Sequence, residues 1–205
     1  DDHANINKMG TFRTYTVKVE GSDITFKNLT IENNAAQLGQ AVALHTEGDR
    51  LKFINCRILG NQDTIYTGAK FTRLYFKDCY IDGTTDFIFG PSTALFEDCI
   101  IHSKRNSYVT AASTPKEAKY GYVFKHCKLT AEPGVDLGRP WRPYAYTLFI
   151  ECELGKHIVS AGWHNWGKQS NEETARYMEY KNTGEGANAS ERVAWSKQLI
   201  KKEAE

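Results

Sequence analysis

The hydrophobic positions of the chain recur in a ten-residue pattern: apolar, any residue, Phe, any residue, Asn or Asp, Cys, any residue, Ile, any residue, Gly. The marker phenylalanines of successive copies are 27, 23, 20, 28 and 25 residues apart. A repeat of this length, with one strand-like unit per period, is typical of a solenoid, in which residues at the same offset stack on neighbouring coils. The pattern occurs in Ile24–Asn33, Leu51–Gly60, Leu74–Gly83, Ala94–Ser103, Tyr122–Ala131 and Thr147–Lys156.

Two consecutive polar positions follow most marker phenylalanines and break the alternation expected of a single strand. Because Asn and Asp tolerate left-handed backbone angles, we predict a bend between two short strands at the column Asn28, Asn55, Asp78 and Asp98. Short strands separated by corners favour an all-β, parallel β-helix. A leucine-rich horseshoe is disfavoured, since its repeat carries several Leu and usually a helix.

All five cysteines lie in one column, three residues after a marker phenylalanine: Cys56, Cys79, Cys99, Cys127 and Cys152. A metal site would need close pairs such as CxxC, and an odd number of cysteines in one inward column does not suit a disulfide framework. We therefore predict a ladder of small buried side chains, with Leu29 filling the same column in the first coil.

The length of 205 residues is that of one domain, which we predict to extend over residues 1–205. We expect coils at about residues 11–160 and then a loop-rich tail at about residues 161–205, which closes the end of the coil and ends in Glu191–Glu205 as a short helix. A net charge of +1 gives no electrostatic argument for nucleic acid, and no apolar run is long enough to span a membrane. Since solenoids normally carry a cap over the first coil, we expect an amino-terminal segment with a cap and an export signal to precede Asp1.

Two aspartates share one position on consecutive coils. Asp63 and Asp86 each lie ten residues after a marker phenylalanine, and Tyr66 and Phe89 follow them by three residues. Like charges about 5 Å apart repel by about 3 kcal/mol at an effective dielectric of about 20, so one carboxyl can stay protonated beside an ionised one. Such a pair can combine a nucleophile with a general acid. A single Asp would more often be a solvated turn residue, but a matched pair favours function.

Three further side chains are candidates for catalysis. Arg139 precedes Pro140, which restricts its backbone to extended angles, and a guanidinium can bind a carboxylate through two hydrogen bonds. A surface Arg in a turn is an equally good interpretation. Gln40 and Gln62 offer amide N–H groups that could stabilise an oxyanion, although Gln is more often simply polar. The chain has no GxSxG, HExxH or Gly-rich phosphate loop, which disfavours a serine hydrolase or a zinc enzyme.

Several ordered motifs together resemble the signature blocks of the pectin methylesterase (pectinesterase) family. The resemblance extends from about residue 11 to 196 and implies a right-handed parallel β-helix, with further coils and a helical cap expected before Asp1. It also implies hydrolysis of methyl esters on galacturonate units of pectin, with release of methanol and no metal or organic cofactor. The blocks are Gly39–Leu44, Gln62–Thr64, Gly83–Gly90, Leu137–Trp141, Gly162–Trp166 and Arg192–Trp195.

The same resemblance implies a role for each candidate. Asp86 would attack the ester carbonyl, and Asp63 would protonate methanol and then activate water on the acyl-enzyme. Gln40 and Gln62 would hold the oxyanion, and Arg139 would pair with Asp86. Three aromatic residues match positions that line the substrate groove of the family: Tyr66, Phe89 and Trp141.

Two other functions stay open on the sequence. The first is another pectin-directed β-helix enzyme: a retaining glycosidase also uses two carboxylates about 5 Å apart, whereas a lyase would need a calcium site that we cannot assemble from this chain. The second is a non-catalytic, carbohydrate-binding solenoid. The expected partner is methylated homogalacturonan, with no nucleic acid or membrane. We expect a monomer that is secreted, periplasmic or in the cell wall, because the polymer is found there.

Overall fold

Three parallel β-sheets form the coils in the computed structural model, which describes residues 3–5, 9–131 and 134–204. The first sheet contains β1 (Val17–Val19), β4 (Leu44–Thr46), β7 (Ile65–Thr67), β10 (Ile88–Gly90), β13 (Tyr108–Ala112) and β16 (Asp136–Gly138). The second contains β2 (Thr25–Lys27), β5 (Leu51–Ile54), β8 (Arg73–Lys77), β11 (Thr93–Glu97), β14 (Tyr122–Lys125), β17 (Tyr146–Ile150), β19 (Arg176–Tyr180) and β20 (Lys197–Gln198). The third contains β3 (Thr30–Glu32), β6 (Arg57–Leu59), β9 (Tyr80–Gly83), β12 (Ile100–Ser103), β15 (Lys128–Ala131) and β18 (Glu153–Leu154).

From β1 to β18 every third strand returns to the same sheet, as the coils of a parallel β-helix require. The predicted all-β solenoid is therefore confirmed. Helices are short: one α-helix, α1 (Lys201–Ala204), and 3₁₀ turns at Thr11–Arg13, Gln169–Asn171 and Glu185–Ala187 lie in the described ranges. In those ranges we find no apolar helix of membrane-spanning length.

The marker phenylalanines form a continuous stack through the core. Neighbouring rings have centroids 4.5 to 5.0 Å apart and planes within 5 to 10° of parallel. Burial of each ring contributes about 1.5–3 kcal/mol, and stacking adds about 0.5–1.5 kcal/mol. The stack fixes the register of one coil on the next and so fixes every other column. Its members are Phe26, Phe53, Phe76, Phe96, Phe124 and Phe149.

The cysteine ladder is confirmed, since all five thiols are free and at most 2% exposed. Each Sγ donates to a backbone carbonyl of the preceding coil, as Cys79 does to Phe53 at 3.3 Å. The expectation that Leu29 is buried in this column is wrong, because Leu29 is 47% exposed. It lies between β2 and β3, the edge strands of their sheets, where no described coil covers it.

The predicted bend separates the second sheet from the third in every coil. Asn28, Asn55, Asp78 and Asp98 have φ of 50 to 56°, and the next two coils place His126 and Glu151 at the same angles. A left-handed backbone costs residues other than Gly, Asn and Asp about 1–2 kcal/mol. At His126 and Glu151 the register of the coils therefore overrides the local backbone preference.

The tail extends the solenoid further than the repeat predicts. β19 pairs in parallel register with β17, and β20 pairs with β19, so the second sheet continues well past residue 160. Glu179 occupies the marker column opposite Phe149, and its carboxylate accepts a hydrogen bond from the Arg192 guanidinium at 2.8 Å. Both side chains are almost fully buried. This ion pair replaces the aromatic ring at the end of the stack.

Of the short helix predicted over Glu191–Glu205, only Lys201–Ala204 is helical, as α1; Glu205 lies outside the described residues. The preceding residues donate backbone hydrogen bonds to the coils, as Val193 does to Ala161. These contacts compete with helix formation. In the tail, Trp163 and Tyr177 are buried against the core and their ring centroids are 4.3 Å apart.

Candidate active site

The coil register places Asp63 and Asp86 side by side in the turns that lead into β7 and β10. These strands are paired in register, and the Asp63 N–H donates to the Thr85 carbonyl at 3.1 Å. The Asp86 N–H donates in the same way to the Tyr108 carbonyl at 2.8 Å. Both aspartates have a left-handed backbone, with φ of 67° and 49°. The two carboxyl groups therefore project into one cavity.

This cavity has a volume of about 160 Å³ and contains all five residues predicted to be catalytic. Of the predicted aromatic residues, Phe89 and Trp141 line it, and Tyr66 stacks on Phe89 with ring centroids 4.8 Å apart. A neighbouring cavity is lined by Tyr66 and shares Trp141 with this one. The complete lining is Thr11, Phe12, Gln40, Gln62, Asp63, Asp86, Phe89, Ala111, Arg139, Trp141 and Trp166.

Arg139 binds Asp86 through both arms of its guanidinium. Nε donates to Oδ1 at 3.0 Å and Nη2 to Oδ2 at 2.7 Å, which is the bidentate geometry that suits a carboxylate. The Arg139 backbone is fixed by a hydrogen bond from its N–H to the Thr110 carbonyl at 2.9 Å. Because Asp86 is 6% exposed, the pair is only weakly screened by solvent.

The surroundings of the two aspartates favour different protonation states. Burial raises the pKa of Asp63 well above its usual range, the nearby charge of Asp86 raises it further, and a hydrogen bond from Gln40 opposes the shift. Burial also raises the pKa of Asp86, but hydrogen bonds and charge from Arg139 oppose that shift directly. These surroundings favour ionisation of Asp86 over ionisation of Asp63.

The structure adds side chains to the site that the sequence reasoning missed. Phe12 covers Tyr66, with ring centroids 4.7 Å apart, and comes from the 3₁₀ turn before the first repeat. Tyr108 and Trp166 lie against the Arg139 guanidinium, their ring centroids 3.9 and 3.7 Å from Cζ. Only Trp166 had a sequence signal, as the last residue of the Gly162–Trp166 block. In the described residues no group of three or more His, Cys, Asp or Glu side chains could hold a metal ion.

Comparison with known proteins relates the whole chain to one family. The profile of the pectinesterase family matches residues 2–205. Pectinesterase 31 from Arabidopsis thaliana is 45% identical over 200 residues, which cover 95% of this chain and 62% of that protein. The chain therefore spans about three fifths of the length of this curated relative.

Solved structures agree with this match. Pectin methylesterase from carrot superposes with a TM-score of 0.93 at 32% identity, covering 100% of this chain and 69% of that one. A pectin methylesterase solved in complex with a hexasaccharide has a TM-score of 0.83 at 30% identity, covering 96% of this chain and 71% of that one. The chain belongs to the pectinesterase family.

Proposed function

We propose that this protein hydrolyses the methyl esters of galacturonate units in pectin through an aspartyl acyl-enzyme and releases methanol. The observation that carries the proposal is the pair of carboxyl groups in one cavity, of which only Asp86 is bound by a guanidinium. A carboxylate can act as the nucleophile, and a neighbouring carboxylic acid can act as the general acid. Family membership supports the reaction class.

In the first half-reaction, a carboxylate oxygen of Asp86 attacks the ester carbonyl carbon. The carbonyl oxygen becomes an oxyanion, which the side-chain amides of Gln40 and Gln62 can stabilise because both line the same cavity. The bond to the methoxy group then breaks, and Asp63 gives its proton to the departing methanol. The galacturonyl group is left on Asp86 as an anhydride.

In the second half-reaction, Asp63 is ionised and takes a proton from water. The resulting hydroxide attacks the galacturonyl carbonyl carbon, the bond to Asp86 breaks, and Asp86 leaves as a carboxylate that Arg139 again pairs. Asp63 keeps the proton that it took from water, so both aspartates are back in their starting states. The net reaction consumes one ester and one water and yields one carboxylic acid and one methanol.

The groove around the cavity supports a polymeric substrate. Tyr66, Phe89 and Trp141 form an aromatic cluster at the cavity: Tyr66 and Trp141 are half-buried, and Phe89 packs between them with its centroid 5.8 Å from that of Trp141. Aromatic faces pack well against the apolar faces of sugar rings. The hexasaccharide complex of a related pectin methylesterase supports occupancy by several sugar units. We accordingly propose methylated homogalacturonan as partner and an extracellular or periplasmic place of action, for a monomeric protein.

The reaction is tested by incubation with highly methylated pectin. We expect methanol to appear without new reducing ends or unsaturated products. New reducing ends would support a glycosidase, and unsaturated products a lyase. Binding to pectin without any turnover would support a carbohydrate-binding solenoid instead.

The nucleophile is tested by Asp86→Asn, which we expect to lower the rate of methanol release at least about 1000-fold while the protein stays folded. Asp78→Asn is the matched control, because its exposed bend column already accepts Asn at Asn28 and Asn55. Equal loss of fold and activity in the Asp86 variant would show a structural Asp and contradict the assignment.

A further inference from the structure

Tyr108 touches both members of the Asp86–Arg139 pair. Its backbone carbonyl accepts the hydrogen bond from the Asp86 N–H at 2.8 Å. Its ring lies against the Arg139 guanidinium, with the centroid 3.9 Å from Cζ. One residue of β13 thus fixes the backbone of the carboxylate and the head of the cation that binds it.

The guanidinium lies between two aromatic rings. Trp166 approaches the same Cζ to 3.7 Å, yet the Tyr108 and Trp166 rings do not contact each other among the described ring pairs. Two rings that both touch one planar cation without meeting lie on different faces of it. Trp166 lines the cavity, and Tyr108 is not among the lining residues. Tyr108 therefore supports the guanidinium from the side away from the substrate.

A flexible Arg side chain gains from such support. The two hydrogen bonds to Asp86 require the guanidinium to lie in the plane of the carboxylate, and four rotatable bonds separate the guanidinium from the backbone. An aromatic face within about 4 Å attracts the cation and restricts it to the plane parallel to the ring. Without that face, the guanidinium can rotate out of the bidentate geometry.

We propose that Tyr108 is a positioning residue that holds Arg139 in bidentate contact with Asp86. Its ring supplies this function and its hydroxyl group does not contribute. The inference rests on the proposed function, because it gives Tyr108 an effect on catalysis that acts only through the ion pair.

The consequence is a change in the acid side of the pH profile. The titratable and charged groups around Asp86 are Asp63 in the preceding coil and Arg139 two coils further along, with the buried Tyr177 nearby. Asp136 and His164 lie on the far side of the guanidinium, next to Tyr108. A displaced guanidinium no longer opposes the effect of burial, so the pKa of Asp86 rises and a higher pH is needed to ionise it.

The test compares Tyr108→Leu, which removes the ring, with Tyr108→Phe, which keeps it. We expect Tyr108→Leu to lower kcat/KM for methylated pectin about tenfold and to move the acid limb of its pH profile to higher pH. Tyr108→Phe should match the native protein in both respects. Tyr108→Met replaces Tyr108→Leu if the latter does not fold, as judged by thermal unfolding.

A ¹³C titration of the Asp86 carboxyl group gives a second readout that does not depend on turnover. We expect a raised pKa of Asp86 in Tyr108→Leu and the native value in Tyr108→Phe. An unchanged acid limb and pKa in Tyr108→Leu, or the same loss in both variants, would overturn the role of the ring. If native protein releases no methanol, the proposed function fails, and the titration alone still decides whether Tyr108 positions the pair.

Discussion

Asp63 and Asp86 carry the same carboxyl group in one cavity, and their neighbours give them different chemistry. Asp86 is bound through both oxygens by Arg139, whereas Asp63 faces the charge of Asp86 and a hydrogen bond from Gln40. Because both carboxyl groups are buried, the ion pair favours ionisation of Asp86 over Asp63. In the proposed mechanism, a residue that moves Arg139 would therefore change the rate without touching the ester.

The pH dependence of activity follows from these two groups. In the proposed mechanism Asp86 must be ionised, so kcat/KM should rise as pH rises through the pKa of Asp86. Asp63 must be protonated, so kcat/KM should fall as pH rises through the pKa of Asp63. Since burial raises the pKa of both, we expect a bell-shaped profile displaced to higher pH than free aspartates would give.

Arg139→Gln tests the acid limb of that profile. Arg139→Gln removes the charge that opposes the rise in the pKa of Asp86, so the acid limb should move to higher pH. Arg139→Lys keeps the charge but loses the bidentate geometry, so it should move the acid limb less. The measurement is initial rates of methanol release across pH. An acid limb that stays in place in Arg139→Gln would contradict the assignment of Asp86.

At the scale of the strands, the marker column supplies both the fold and its register. We expect Phe96→Ala in β11 to lower the free energy of unfolding by about 3–5 kcal/mol, because this fully buried ring is stacked on both sides at 4.5 and 4.6 Å. Phe71→Ala is the control: the Phe71 ring is 60% exposed, so this substitution should change the free energy of unfolding by no more than about 0.5 kcal/mol. Similar denaturant midpoints for the two variants would show that the stack does not hold the coils.

The strands of the second and third sheets could be predicted because their buried residues recur at fixed offsets. The phase of the same repeat was enough to bring Asp63 and Asp86 together. β19 could not be predicted in this way, because its marker position holds Glu179, whose burial depends on Arg192 thirteen residues later. Phe12 and Tyr108 were missed for a related reason, since they lie outside the repeated phrase and reach the site only through tertiary contacts.

At the scale of the whole molecule, the cysteine ladder reports on the integrity of the coils. Burial raises the pKa of the Cys56 thiol. The pKa of the Cys79 thiol is also raised, mainly by a hydrogen bond with Cys99 and to a smaller extent by burial. We expect a thiol reagent to label native protein very slowly and all five thiols at once on global unfolding. The measurement is mass spectrometry after timed labelling at increasing denaturant. Fast labelling without denaturant would contradict the inward orientation of the column.

The corner between the second and third sheets is two residues long in every coil from β2 to β18, whereas the connections on either side of the first sheet differ in length from coil to coil. The phenylalanine rings stay 4.5 to 5.0 Å apart despite this variation. The differences in length between coils thus lie in the connections that flank the first sheet, and they leave the phenylalanine stack unchanged. Loops of other lengths can therefore be exchanged at these connections without redesigning the scaffold.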